Sequence, residues 1–209
     1  MDTAHAVRLP SEDAVDSAWS GGAEPFAVSW QKLMMWAFIV TDALLFAGLL
    51  AGYGFVRLAS PQWPDRGQVF HLSFIGVMTF ILISSSATMA SAVAAARRRQ
   101  PALAGRFLLL TIVGGLCFLG MQAYEWASLI ERGARLGSNP WGTPLFSGSF
   151  FVITGFHGSH VLTGVVILAI LAIRLASGRS TAHGVELAGL YWHFVDLVWV
   201  FIFTLFYLV

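Results

Sequence analysis

Five long apolar runs, set apart by short polar stretches, constrain this 209-residue chain more than any other feature. They lie at about 33–56, 72–96, 107–130, 149–173 and 185–209. At ~1.5 Å per residue, each run is long enough to cross a hydrocarbon core of about 30 Å. No water is available there, so each run must satisfy its own backbone, which a helix does. Barrel strands are excluded, because they would be about 10 residues long and would alternate polar with apolar positions. Composition agrees: 57% of residues are hydrophobic, 11% are charged and the mean hydropathy is +0.73. The expected fold is all-α, an integral membrane bundle of five transmembrane helices. A net charge of +1 leaves no basic surface for nucleic acid. The single cysteine, Cys117, falls inside a run, so neither an intrachain disulfide nor a thiolate metal cluster is expected.

Residues 1–29 form a polar, acidic arm with Asp2, Glu12, Asp13, Asp16 and Glu24 against Arg8. The arm lacks the basic start, apolar centre and small-residue cleavage site of a secretory signal, so it reads as a retained cytoplasmic leader. Trp30 and Lys32 then mark a membrane interface, and residues 30–209 form the membrane domain. The arm and the second and fourth loops hold Arg8, Lys32, Arg97, Arg98, Arg99, Arg106, Arg174 and Arg179. The other side holds Arg57, Arg66, Arg132 and Arg135. The positive-inside rule places the N-terminus in the cytoplasm and the C-terminus outside.

A charged residue at a helix centre costs about 3 kcal/mol on insertion scales, so polar residues inside the runs are the informative ones. Asp42 lies roughly 14 Å into the first run at helical rise. His157 and His160, spaced i,i+3, share one face of the fourth run, and His193 and Asp196 repeat that spacing in the fifth. Glu125, beside Tyr124, is near the outer end of the third run, and Glu186 is near the inner end of the fifth. Three uses fit such residues: a hydrogen-bond network between helices, a lipid-headgroup or proton site, or ligation of a metal or haem by His157, His160 and His193. Gly48-x-x-x-Gly52 hints at close helix packing. Ser84, Ser85, Ser86, Thr88 and Ser91 can bond back to their own helix carbonyls. Trp192 and Trp199 flank the His193/Asp196 pair.

The fourth and fifth runs carry a specific resemblance. Phe150-Phe151-Val152-Ile153-Thr154-Gly155-Phe156-His157-Gly158-Ser159-His160-Val161 resembles the Phe-Phe-x-x-Thr-Gly-Phe-His-Gly-Leu-His-Val signature of subunit III of haem–copper terminal oxidases. Tyr191-Trp192-His193-Phe194-Val195-Asp196-Leu197-Val198-Trp199 is similar to that family's last-helix motif, with Glu186 five residues before it. Gln122-Ala123-Tyr124-Glu125 is similar to its third-span acidic motif. The five-run count resembles the short bacterial form. Asp42 stands where the family usually has Glu, Met78 stands where the quinol-oxidase branch often has Glu, and Ser159 replaces the commoner Leu.

The resemblance implies a subunit without redox centres, catalytic residues or a metal of its own, in a bacterial inner membrane. Haems and copper are expected in the partners, the catalytic subunit I and subunit II. Structural phospholipids are expected in a V-shaped cleft between the helices. It implies conserved polar positions at Asp42, Glu125, His157, His160, Glu186, His193 and Asp196. On this reading Asp42 and His160 lie toward the lipid cleft. His193 and Asp196, with Tyr191 and Trp192, tie the last helix to its neighbours. Arg174 or Arg179 anchors anionic headgroups at the cytoplasmic rim. Rival readings are subunit III of a quinol oxidase, the subunit-III-like accessory protein of nitric oxide reductase systems, a stand-alone haem b membrane protein, and a proton-coupled transporter using Asp42. Genomic neighbours, or co-purification with a copper-containing oxidase, separate the oxidase subunit from the nitric oxide reductase accessory protein. A haem b protein predicts a Soret band from the purified chain, lost on His160→Ala or His193→Ala, and a colourless preparation ends that reading.

Overall fold

Five membrane-length helices build the computed structural model, which describes residues 28–179 and 181–208. The acidic arm up to residue 27 lies outside the described residues, as do Ser180 and Val209. The helices are α1 (Trp30–Ala59), α2 (Leu72–Arg97), α3 (Pro101–Glu131), α4 (Pro144–Ala176) and α5 (Ala182–Phe203). A single helical turn, Arg66–Val69, interrupts the α1–α2 loop, and a π turn, Thr204–Leu208, extends α5. Among the described residues there is no strand, only an isolated bridge between Arg135 and Ser138.

The helices outrun the apolar stretches because local signals, not hydropathy, set their ends. Pro101 and Pro144 occupy first-turn positions, where the missing N–H is no loss. These starts precede the expected ones at 107 and 149. Helices α2, α3 and α4 all stop in the same way. Arg99, Gly133 and Gly178 take positive φ just past the helix end, and the next residue's N–H returns to a carbonyl in the last turn. These bonds run from Gln100 to Ala95 at 3.0 Å, from Ala134 to Leu129 at 3.0 Å and from Arg179 to Arg174 at 2.8 Å. The last helix also departs from the expected 185–209, since its α geometry ends at Phe203. The wider π turn sets the successive residues Phe206 and Tyr207 both inward.

Helix α5 is the hub and packs against α2, α4 and α1, while α2, α3 and α4 form a continuous layer around it. Helix α1 sits at the edge, against α5 and α4. Trp192 on α5 is the central piece. Its indole fills the space opened by Gly115 on α3 and Gly164 on α4, and its Nε1 donates to Ser85 Oγ on α2 at 3.1 Å. Gly48 and Gly52 play no such part. A Cβ on either would meet nothing within 4 Å, and the close approaches between helices occur at other glycines, Gly114, Gly115, Gly155, Gly164 and Gly189.

A Cβ at Gly115 would come within 2.6 Å of the Trp192 ring and 2.8 Å of Val165. Gly115→Ala should therefore destabilise the bundle by about 1–3 kcal/mol, despite the better helix propensity of alanine. Thermal melting followed by tryptophan fluorescence checks this, with a lower midpoint expected.

Candidate functional site

Asp42 and His160 meet at the junction of α1 and α4. Asp42 is 7% exposed, and its Oδ2 lies 3.4 Å from His160 Nε2. The other ring nitrogen, Nδ1, is 2.8 Å from the Phe156 carbonyl one turn back on α4. A carbonyl oxygen only accepts, so Nδ1 must carry the proton. At 3.4 Å the carboxylate and the ring face each other, but Oδ2 has no hydrogen-bond partner among the described residues. Phe46 and Phe156 wall the imidazole, with ring centroids at 5.4 and 4.6 Å. Tyr191 caps the site from α5 by donating to the His160 carbonyl at 3.0 Å. The arrangement sets an acid against an imidazole in an apolar wall.

The other imidazoles go elsewhere. His157 is 1% exposed, lies among Phe46, Phe118 and Trp199, and neither ring nitrogen has a partner. His193 Nδ1 lies 2.6 Å from Ser86 Oγ on α2. Asp196 is 8% exposed, and its Oδ1 has no partner, so the i,i+3 spacing with His193 does not make a bonded pair. Ser86 thus bonds across to α5 rather than back to its own helix. Among the described residues, no group of three His, Cys, Asp or Glu side chains is placed to hold a metal ion.

Ser85 and Thr88 do bond back to their own helix, but sequence reasoning missed that several hydroxyls also meet polar groups of other helices. Ser85 takes Trp192, Thr79 takes Trp199 at 3.0 Å, and Thr154 takes Trp126 at 3.1 Å. Thr88 and Thr111 join α2 to α3 at 2.8 Å. A serine or threonine facing a tryptophan across a bundle is visible only after the helices are paired. Tyr207 was also missed, and it donates to Glu125 Oε2 at 3.1 Å.

The arginine-rich end carries the charges. Glu186 Oε1 on α5 lies 2.5 Å from Lys32 Nζ on α1 and 3.0 Å from Arg97 Nη2 on α2, so one carboxylate fastens three helices. Arg174 lines a cavity of about 270 Å³ with Met35, Tyr191 and apolar residues of α4 and α5. Arg106, on α3, lines a larger groove of about 590 Å³ against the end of α4. Arg179 is exposed in the loop beyond α4. Between α1 and α5 runs an apolar groove of about 320 Å³, lined by Phe46, Leu50, Phe194 and Leu197 among others.

The whole chain from residue 10 to residue 209 matches the family model described as cytochrome c oxidase subunit III. The chain belongs to the cytochrome c oxidase subunit III family. Similar subunit III proteins include cytochrome c oxidase subunit 3 of Synechocystis sp., 40% identical over 82% of this chain and 72% of that protein. Cytochrome c oxidase subunit 3 of Corynebacterium diphtheriae is 35% identical over 82% of this chain and 84% of the relative. A protein named probable quinol oxidase subunit 3, from Staphylococcus saprophyticus, is 31% identical over 85% and 88%. The resemblance seen in the fourth and fifth runs therefore extends over the subunit III fold, with Asp42 and His160 facing each other and the histidines of the last two helices turned to separate neighbours.

Replacing Glu186 with Gln removes the one anion shared by Lys32 and Arg97. Because these side chains are partly exposed, the expected loss is about 1 kcal/mol or less, shrinking as salt is raised. Melting curves at low and high ionic strength measure it.

Proposed function

We propose that this chain serves as the non-redox subunit III of a proton-pumping haem–copper oxygen reductase, docked on subunit I beside subunit II. In that role it stabilises the catalytic subunit, binds structural phospholipids and supports proton uptake. The observation that carries the reading is the Asp42–His160 pair, a buried acid facing an imidazole across two helices. Ionisable groups at this depth are expensive, and a bundle keeps them where they serve a path or a site. Arg174 and Arg106, each at the mouth of a mostly apolar cavity at one end, suit an anionic headgroup with its acyl chain alongside. The same arginine-rich end faces the cytoplasm under the positive-inside rule, which puts the acyl grooves in the inner leaflet of a bacterial plasma membrane.

Cytochrome c is the electron donor on the first reading. Quinol is the second, favoured by relatives named as quinol oxidase subunits. Assaying the purified complex with reduced cytochrome c and with a quinol decides between them. Under either donor the haems and copper reside in the partner subunits, and the residues of this chain hold lipids, helices and a proton.

Two variants test the pair. Asp42→Asn keeps a donor toward His160 Nε2 but cannot release a proton, and Asp42→Ala removes both functions. Both complexes should assemble, with proton uptake slowed about tenfold, equivalent to about 1.4 kcal/mol of barrier, and fewer turnovers before inactivation. Uptake and turnover equal to the parent over many cycles in both variants would rule out a proton role for Asp42.

A further inference from the structure

Glu125 presents a separate arrangement at the opposite end of the bundle. Its side chain, on α3, is 7% exposed. Tyr207 and Gln122 both address Oε2, at 3.1 and 3.5 Å. Oε1 is buried and has no partner among the described residues. Leaving a buried acceptor so costs roughly 1–3 kcal/mol. Native interiors avoid this by pairing such atoms with protein or with ordered water.

A cavity lies beside it. Glu125 lines a cavity of about 200 Å³ whose polar walls are His71, Ser128 and Arg132, with Phe74 and Ile75 of α2 completing it. At about 30 Å³ per molecule, this space admits a short file of waters. Ser128 is one turn beyond Glu125 on the same helix, half-buried and on the cavity wall. Arg132 is held in place by donating to the Gln68 and Val69 carbonyls and by lying over the Trp141 ring at 5.4 Å. His71, exposed at the start of α2, stands on the opposite wall. On the inner side Tyr207 is 1% exposed and packed against Phe70, Phe150 and Trp199, so the space ends at the carboxyl.

We infer that Glu125 is a proton-exchange site, reached by water through this cavity from the end of the bundle that carries the α1–α2 and α3–α4 loops. In the step itself, carboxylate Oε1 takes a proton from a hydronium in the cavity and a water molecule remains. Tyr207 goes on donating to Oε2, and no other bond changes. Arg132 is the charged group the carboxylate faces, from the end of α3. The titratable ring of His71 lines the same cavity from the α1–α2 loop, Gln122 and Tyr207 face the carboxylate from α3 and the π turn, and the α2 wall is apolar. The site shares no residue with the Asp42–His160 pair, so it stands whether or not that pair conducts protons.

The test uses the intact oxidase complex in detergent. On transfer from H₂O to D₂O, infrared difference spectra should show a carboxyl C=O band that shifts at once and is missing in Glu125→Gln. In Ser128→Val, whose larger side chain fills the passage, the same shift should be about tenfold slower or more. A water-soluble carbodiimide with an amine nucleophile, followed by peptide mass spectrometry, should mark Glu125 in the unaltered protein, which needs no variant to fold. The inference is overturned by a band that exchanges only with the slowest backbone amides. It is equally overturned by a Glu125 left unmodified while exposed Asp65 reacts, or by a Ser128→Val complex exchanging as fast as the parent.

Discussion

Hydrocarbon supplies no hydrogen bonds, and that single fact governs how the polar side chains of this bundle are arranged. Neighbouring helices are joined by polar contacts that cross between inward faces. Trp192 to Ser85 and Trp199 to Thr79 hold α5 to α2, Thr88 to Thr111 holds α2 to α3, and Trp126 to Thr154 holds α3 to α4. Asp42 facing His160 joins α1 to α4. The apolar surface cannot supply this specificity, because lipid tails are as oily as leucine, so close packing and buried polar contacts must select the partners.

Close packing depends on the same residues. The indole of Trp192 can reach Ser85 only because Gly115 and Gly164 leave its ring room, so the hydrogen bond and the two glycines form one device. The π turn is another. By setting Phe206 and Tyr207 on the same side, it places an aromatic plug among Phe70, Phe150 and Tyr53 and delivers a phenol to Glu125. Tyr53 returns the connection by donating to the Leu205 carbonyl at 3.4 Å, and Arg66 donates to that of Leu208. The chain end is thereby tied to α1 and its following loop.

Five helices were legible in the sequence because a span of about 20 apolar residues has one stable solution in a bilayer. Their ends were less so, since Pro101 and Pro144 extend helices into stretches whose hydropathy is ordinary. The motif around His157 and His160 located the polar face of α4 but not the division of labour within it. Spacing alone suggested that two imidazoles on one face act together. In the fold, one turn of rotation sends His160 to an acid and His157 into an aromatic cage. Likewise His193 and Asp196 share a face without bonding, because Ser86 on the neighbouring helix competes for the ring. Pairings between helices depend on register, which no single helix encodes.

The edge position of α1 has a consequence for how the protein is made. This helix is made before the other four, yet the groups that hold it belong to α4 and α5. Lys32 meets Glu186 across 154 residues of chain, and Asp42 meets no imidazole until α4 brings His160 to it. Until α4 and α5 follow, then, α1 lies in the bilayer with its acid facing no imidazole. The five-helix bundle closes like a clasp, with α1 made before the other four and seated after them.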